Sequence, residues 1–194
     1  MSNAHLTVTR STPSNRAFLV LGLIILAVLI AAPWWAGRAD LRLLGEFFLY
    51  LSLATHWNLM AGYAGLISVG QQAYVGLGGY LLFALTLLMG IHPLVALCIV
   101  GFVGMAVAVP VATLIFRLRG AYFAIGTWVI AEVFRLISAQ IAPLGGGSGT
   151  SLPASIVRSI ASGRSEREMT MYFLALGAAV AVLGIVYLFL RSRR

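Results

Sequence analysis

One cysteine, no lysine and only five acidic residues in a chain of 194 leave little material for most kinds of protein chemistry. Cys98 lies inside an apolar run, so neither a disulfide framework nor a thiolate metal cluster is available. His5, His56 and His92 are too far apart in sequence to resemble a local metal motif, and no metal site is expected. The sequence contains no GxxxxGK[ST] phosphate loop, no HExxH and no GxSxG. The chain is therefore not expected to be an enzyme or to bind a cofactor, and any ATP has to be used by another subunit. Charge is scarce as well: charged residues make up 9% of the chain, against about 25% in soluble domains.

What is abundant is apolar. Hydrophobic residues make up 61% of the chain, which makes it an integral membrane protein. The predicted fold is all-α and polytopic, with about six spans of roughly 20 residues. All 13 basic residues are arginine, giving a formal charge of +8. They gather at the ends of apolar runs, so they are read as orienting the chain in the bilayer and not as a nucleic-acid surface.

Residues 1–16 read as a polar cytoplasmic tail, and 17–194 as a single transmembrane domain. The spans are expected at about 17–36, 43–61, 66–91, 94–116, 120–142 and 169–190, with an outer loop at 143–168. The run Ala17 to Ala32 is read as a retained anchor, because Pro33, Trp34 and Trp35 fit a small-residue cleavage site poorly. In the fourth span Gly104, Ala108 and Ala112 recur every four residues, a ridge suited to close helix contact. In the outer loop, Pro153 to Ala161 reads as a short amphipathic helix, and Ser165 with Glu168 has capping-box spacing. The glycine-rich run Gly145 to Thr150 lacks a lysine and a preceding strand, and reads as a flexible loop.

Six crossings put both termini on one side, together with Arg10, Arg16, Arg117, Arg119, Arg191, Arg193 and Arg194. The other side holds Arg38, Arg42, Arg158, Arg164 and Arg167, with Asp40, Glu166 and Glu168. Counting basic residues places both termini in the cytoplasm.

The least ordinary stretch is Asn58 to Leu82. Gly62, Gly65 and Gly70 stand there beside Ser68, Gln71 and Gln72, all at apparent membrane depth. Glycine permits tight helix packing, and it also permits the backbone to leave helical geometry. A freed carbonyl or N–H within the bilayer then needs a protein partner or a water-filled cavity. The run from 64 to 91 is longer than one span needs. It fits one long tilted helix or a short re-entrant piece leading into a spanning helix, and Gly70-Gln71-Gln72 favours the second. A re-entrant or broken segment is therefore expected at 62–75. Gly62, Gly65, Ser68, Gly70, Gln71 and Gln72 are the candidate solute path, although both glutamines could equally bond backbone freed by the glycines. Glu132 and Arg135 lie three apart on one helical face, near mid-bilayer, and are expected to form a buried ion pair. Such a pair would clamp helices together or touch the solute.

Two of these segments resemble a known family. NLMAGYAGLISVGQQAYVGLGGYL, from Asn58, and LRGAYFAIGTWVIAEVFRL, from Leu118, resemble the branched-chain amino acid ABC importer permeases, and the Gly145 to Pro153 run matches their glycine-rich loop in position. The likeness is closer to the LivM-like half of the permease pair than to the LivH-like half.

The resemblance implies a bacterial inner-membrane permease subunit. It implies as partners a second, LivH-like permease, two cytoplasmic ATPase subunits and a periplasmic solute-binding protein. The implied solutes are branched-chain amino acids, with urea and short amides in close relatives. It further implies that the chain ends at Arg194 where a cytoplasmic loop docking on the ATPase would begin, and is C-terminally incomplete. The alternatives are an ion-coupled secondary transporter and an inactive truncated membrane scaffold.

Overall fold

The computed structural model describes residues 13–146, 151–161 and 163–192. Its order is α1 (Pro13–Ala31), a 3-10 turn (Ala32–Trp34), α2 (Arg38–Asn58), a π-helical turn (Leu59–Tyr63), α3 (Gln71–Leu87), α4 (Pro93–Ile115), α5 (Ala121–Ala139), a 3-10 turn (Ala142–Leu144), α6 (Ala154–Ile160) and α7 (Arg164–Ser192). The protein is all-α, as its composition indicates, and six of the helices match the six apolar runs. Among the described residues α4, α5 and α7 are each long and apolar enough to cross a membrane unaided. The described apolar stretch of α1 is shorter, α2 carries Arg38, Asp40, Arg42 and Glu46, and α3 has 17 residues.

Local chemistry sets the helix ends. The Gly37 N–H donates to Asp40 Oδ2 at 3.2 Å, satisfying one of the free amides at the start of α2. At the start of α7 the Gly163 N–H donates to Glu166 Oε2 at 3.1 Å. The cap is thus Gly163 with Glu166, and not the expected Ser165 with Glu168, because the helix begins earlier at Arg164. Glu168 is left free to approach Arg164 at 3.6 Å and Arg38 of α2 at 3.9 Å. Pro93 occupies the first turn of α4, where a missing N–H costs nothing. Next to it, His92 Nε2 lies 3.0 Å from the Ser159 carbonyl and holds α6 against the start of α4.

Two packing units result. In the first, α7 lies along α2 and α1 ends against both. Leu41 and Phe48 of α2 are buried with Tyr172, Ala175, Leu176 and Ala179 of α7, and with Ala32. Ala175 and Ala179, four apart, allow close approach of the helices. The Phe48 and Tyr172 rings meet at 5.8 Å. The Tyr172 hydroxyl donates to the Leu29 carbonyl at 2.7 Å. That carbonyl needs it, since the residue four positions on is Pro33, which has no N–H. Tyr172→Phe is expected to cost about 1 kcal/mol of stability, read as a lowered denaturation midpoint in nanodiscs; an unchanged midpoint would mean that water serves Leu29 instead.

In the second unit α3 packs between α4 and α5. Among the described residues the small-residue ridge of α4 makes no close helix contact at Gly104. A Cβ added at Gly104 would meet nothing within 4 Å, and Ala108 and Ala112 face a cavity. The third helix begins at Gln71, later than the expected 66, because residues 64–70 are not helical.

Candidate functional site

The break in the chain is built in steps. After Asn58 the helix widens into the π turn, and Gly65 takes φ +66°, a left-handed conformation that a side chain would strain. The Leu66 N–H reaches back to the Met60 carbonyl at 3.0 Å and closes the helix end. Residues 66–70 then cross toward α5 without helical bonds, and α3 starts at Gln71.

The freed backbone of this segment is satisfied from both sides. The Trp57 indole Nε1–H donates to the Ser68 carbonyl at 3.2 Å, and the Val69 N–H donates to Thr127 Oγ1 at 3.1 Å. Gly70 lies so close to α5 that an added Cβ would fall 2.1 Å from the Thr127 carbonyl oxygen. Thr127 is six residues beyond Ala121, about 9 Å along the helix at 1.5 Å per residue. The break therefore sits alongside the interior of an apolar, span-length helix and not beyond its end.

A cavity lies on each side of the start of α3. One, of about 410 Å³, is open on one side and lined by residues of α2, α3, α4 and α5; its polar edge is His56, Ser68, Gln71 and Thr127, and its walls are otherwise mostly apolar. Gln71 Nε2 is buried there and lacks a hydrogen-bond partner among the described residues. The other, of about 380 Å³, lies between α3 and α5 and is lined by Gln72, Tyr80, Trp128, Glu132, Arg135 and Ser138. The Tyr80 hydroxyl donates to the Gly146 carbonyl at 2.7 Å, tying α3 to the segment that follows α5.

The candidate residues thus separate. Ser68, Gly70 and Gln71 meet at the first cavity, while Gln72 joins Glu132 and Arg135 at the second. Gly62 and Gly65 line neither and shape the helix end instead; Asn58 Oδ1 lies 2.7 Å from where a Cβ of Gly62 would stand. The Glu132–Arg135 pair forms, with Arg135 Nε donating to Oε2 at 2.9 Å and Nη2 to Oε1 at 2.5 Å. The pair is not buried by this chain, since its side chains are 65% (Arg135) and 43% (Glu132) exposed. It faces an open cavity, and both partners stand on α5, so the pair does not bridge helices.

Thr127 and Trp57 hold the broken segment in place; pattern reading passes over Thr127 and takes Trp57 for an interfacial aromatic. A hydroxyl within an apolar helix and an aromatic at a helix end are each ordinary in membranes. The signal for Thr127 was its place opposite a stretch whose backbone needs donors and acceptors. Of the glycine-rich loop at Gly145 to Thr150, residues 147–150 lie outside the described residues.

Comparison with known proteins gives concordant findings. The family described as "Branched-chain amino acid transport system / permease component" matches residues 41–194. The chain is 25% identical over 160 residues to the high-affinity branched-chain amino acid transport system permease protein LivM of Salmonella typhimurium (strain LT2) and 27% identical over 160 residues to that of Escherichia coli (strain K12). Each alignment covers 81% of this chain and 37% of the relative. The chain thus spans well under half the length of those relatives. No solved structure matches it.

Proposed function

Since the chain belongs to the branched-chain amino acid transport system / permease component family, we propose that it serves as the membrane-spanning permease subunit of an ABC importer. Its solute is a branched-chain amino acid or a related small polar compound such as urea or an amide. ATP is hydrolysed on two separate cytoplasmic subunits, a second, LivH-like permease completes the membrane part, and a periplasmic solute-binding protein delivers the cargo. The subunit lies in the bacterial inner membrane with both termini in the cytoplasm, the orientation favoured by the distribution of arginines.

One observation carries this reading: a helix broken at residues 64–70 beside a span-length helix, opening on a cavity that holds the Gln71 amide nitrogen, which has no partner among the described residues. Non-helical backbone at such depth is tolerated where it is enclosed in protein or lines a water-filled space, and discontinuous helices of this kind frame solute sites in other transporters. The path runs by Ser68, Gly70, Gln71 and Gln72, with Gly62 and Gly65 holding the turn that shapes it.

Replacing both Gln71 and Gln72 by alanine in the complete transporter is expected to lower uptake of labelled leucine at least tenfold while membrane insertion is retained. Uptake equal to that of the parent would remove the glutamines from the path.

A further inference from the structure

An arginine side chain carries five N–H donors, and Arg135 spends two of them on Glu132. Its remaining donors meet no acceptor among the described residues, so one edge of the guanidinium fork is open. Each Glu132 oxygen accepts one bond from Arg135 and keeps capacity for another. Glu132 and Arg135 line the cavity of about 380 Å³ together with Gln72 and Ser138, and no hydrogen bond among the described residues engages the Gln72 amide.

Depth decides what can meet these groups. Glu132 is eleven residues into α5, about 17 Å along its axis, where acyl chains against a half-exposed ion pair would be costly. Among the described residues the pair joins two positions of one helix and clamps no second helix. A lone anion at the open arginine edge would also face the Glu132 carboxylate, and a lone cation would face the guanidinium. A small ligand carrying adjacent positive and negative groups satisfies both edges with no net charge brought into the bilayer. The cavity volume lies toward the small end of the range for ligand pockets, about 300–1,000 Å³.

We infer that Glu132, Arg135 and Gln72 form a receptor for the zwitterionic head of an α-amino acid. The ligand carboxylate takes the open edge of Arg135, its ammonium takes Glu132, and Gln72 donates from α3. This assignment rests on the permease reading for the presence of such a solute, and changes the role of the pair from support to direct contact.

The test uses the full chain in lipid nanodiscs and saturation-transfer NMR with leucine, leucine methyl ester and N-acetyl-leucine, which keep both head charges, only the positive and only the negative. Leucine is expected to bind saturably and each derivative at least tenfold more weakly. Arg135→Gln should weaken leucine at least tenfold and abolish its advantage over the ester; Glu132→Gln should abolish its advantage over the N-acetyl compound. Arg135→Lys, which restores the charge without the fork, should recover part of the preference over the ester. Circular dichroism of each variant checks that the helices persist. Equal binding of the three compounds, no leucine binding, or variants that weaken all three alike would overturn the assignment.

Leucine uptake by the complete ATP-driven transporter in proteoliposomes separates the two readings. The charge pattern without uptake would leave the receptor standing and defeat the permease reading. Uptake indifferent to Arg135→Gln would do the reverse.

Discussion

Gly70→Ala is expected to detach the broken segment from α5, because the new methyl group would fall 2.1 Å from the Thr127 carbonyl oxygen and 2.7 Å from its carbon. Both atoms are backbone, so no side-chain rotation relieves the clash. The chain around Gly70 or the axis of α5 has to move, and overpacking of this kind costs about 3 kcal/mol at the upper end of its usual range. The backbone angles of Gly70 are φ −97° and ψ 12°, which an alanine adopts, so the effect comes from contact and not from strain. Gly79→Ala in α3, the helix that Gly70 precedes, is the control. A Cβ there meets nothing within 4 Å, and helix propensity alone predicts a change within about 1 kcal/mol, in the stabilising direction. Denaturation of both variants in nanodiscs, followed by circular dichroism, separates them. Equal midpoints would show that α5 can draw away from the segment freely.

Thr127→Val keeps the shape of the side chain and removes the oxygen. The Val69 N–H then loses its acceptor in a region poor in water, and the Ala124 carbonyl loses a 2.8 Å bond from the same hydroxyl. An unsatisfied donor of this kind costs about 2 kcal/mol, which corresponds to roughly thirtyfold faster exchange of the Val69 amide if local opening governs it. Thr127→Ser retains the oxygen and should retain the protection. Exchange that is the same in both variants would mean that Val69 finds another acceptor.

Much of the architecture follows from composition and period. An apolar chain with arginines at the ends of its runs has few options besides a bundle of spanning helices, and the glycine cluster at 62–79 marks where one of them is interrupted. The exact break was less accessible. Expected anywhere from 62 to 75, it falls at 64–70, because Thr127, far away in sequence, supplies the acceptor that makes a free Val69 amide affordable. Likewise, the spacing of Glu132 and Arg135 predicts that they pair. Whether the chain covers them depends on which neighbours face α5 at that height, and period alone does not reveal this. Trp57 shows a third limit: its indole reads as an interface marker until the Ser68 carbonyl is seen to come within its reach.

Gln71 and Gln72 are adjacent on α3, so their directions differ by about 100° around the helix axis. Any twist of that helix that withdraws one amide from its chamber moves the other by the same angle. The two chambers are therefore linked geometrically through one helix of 17 residues.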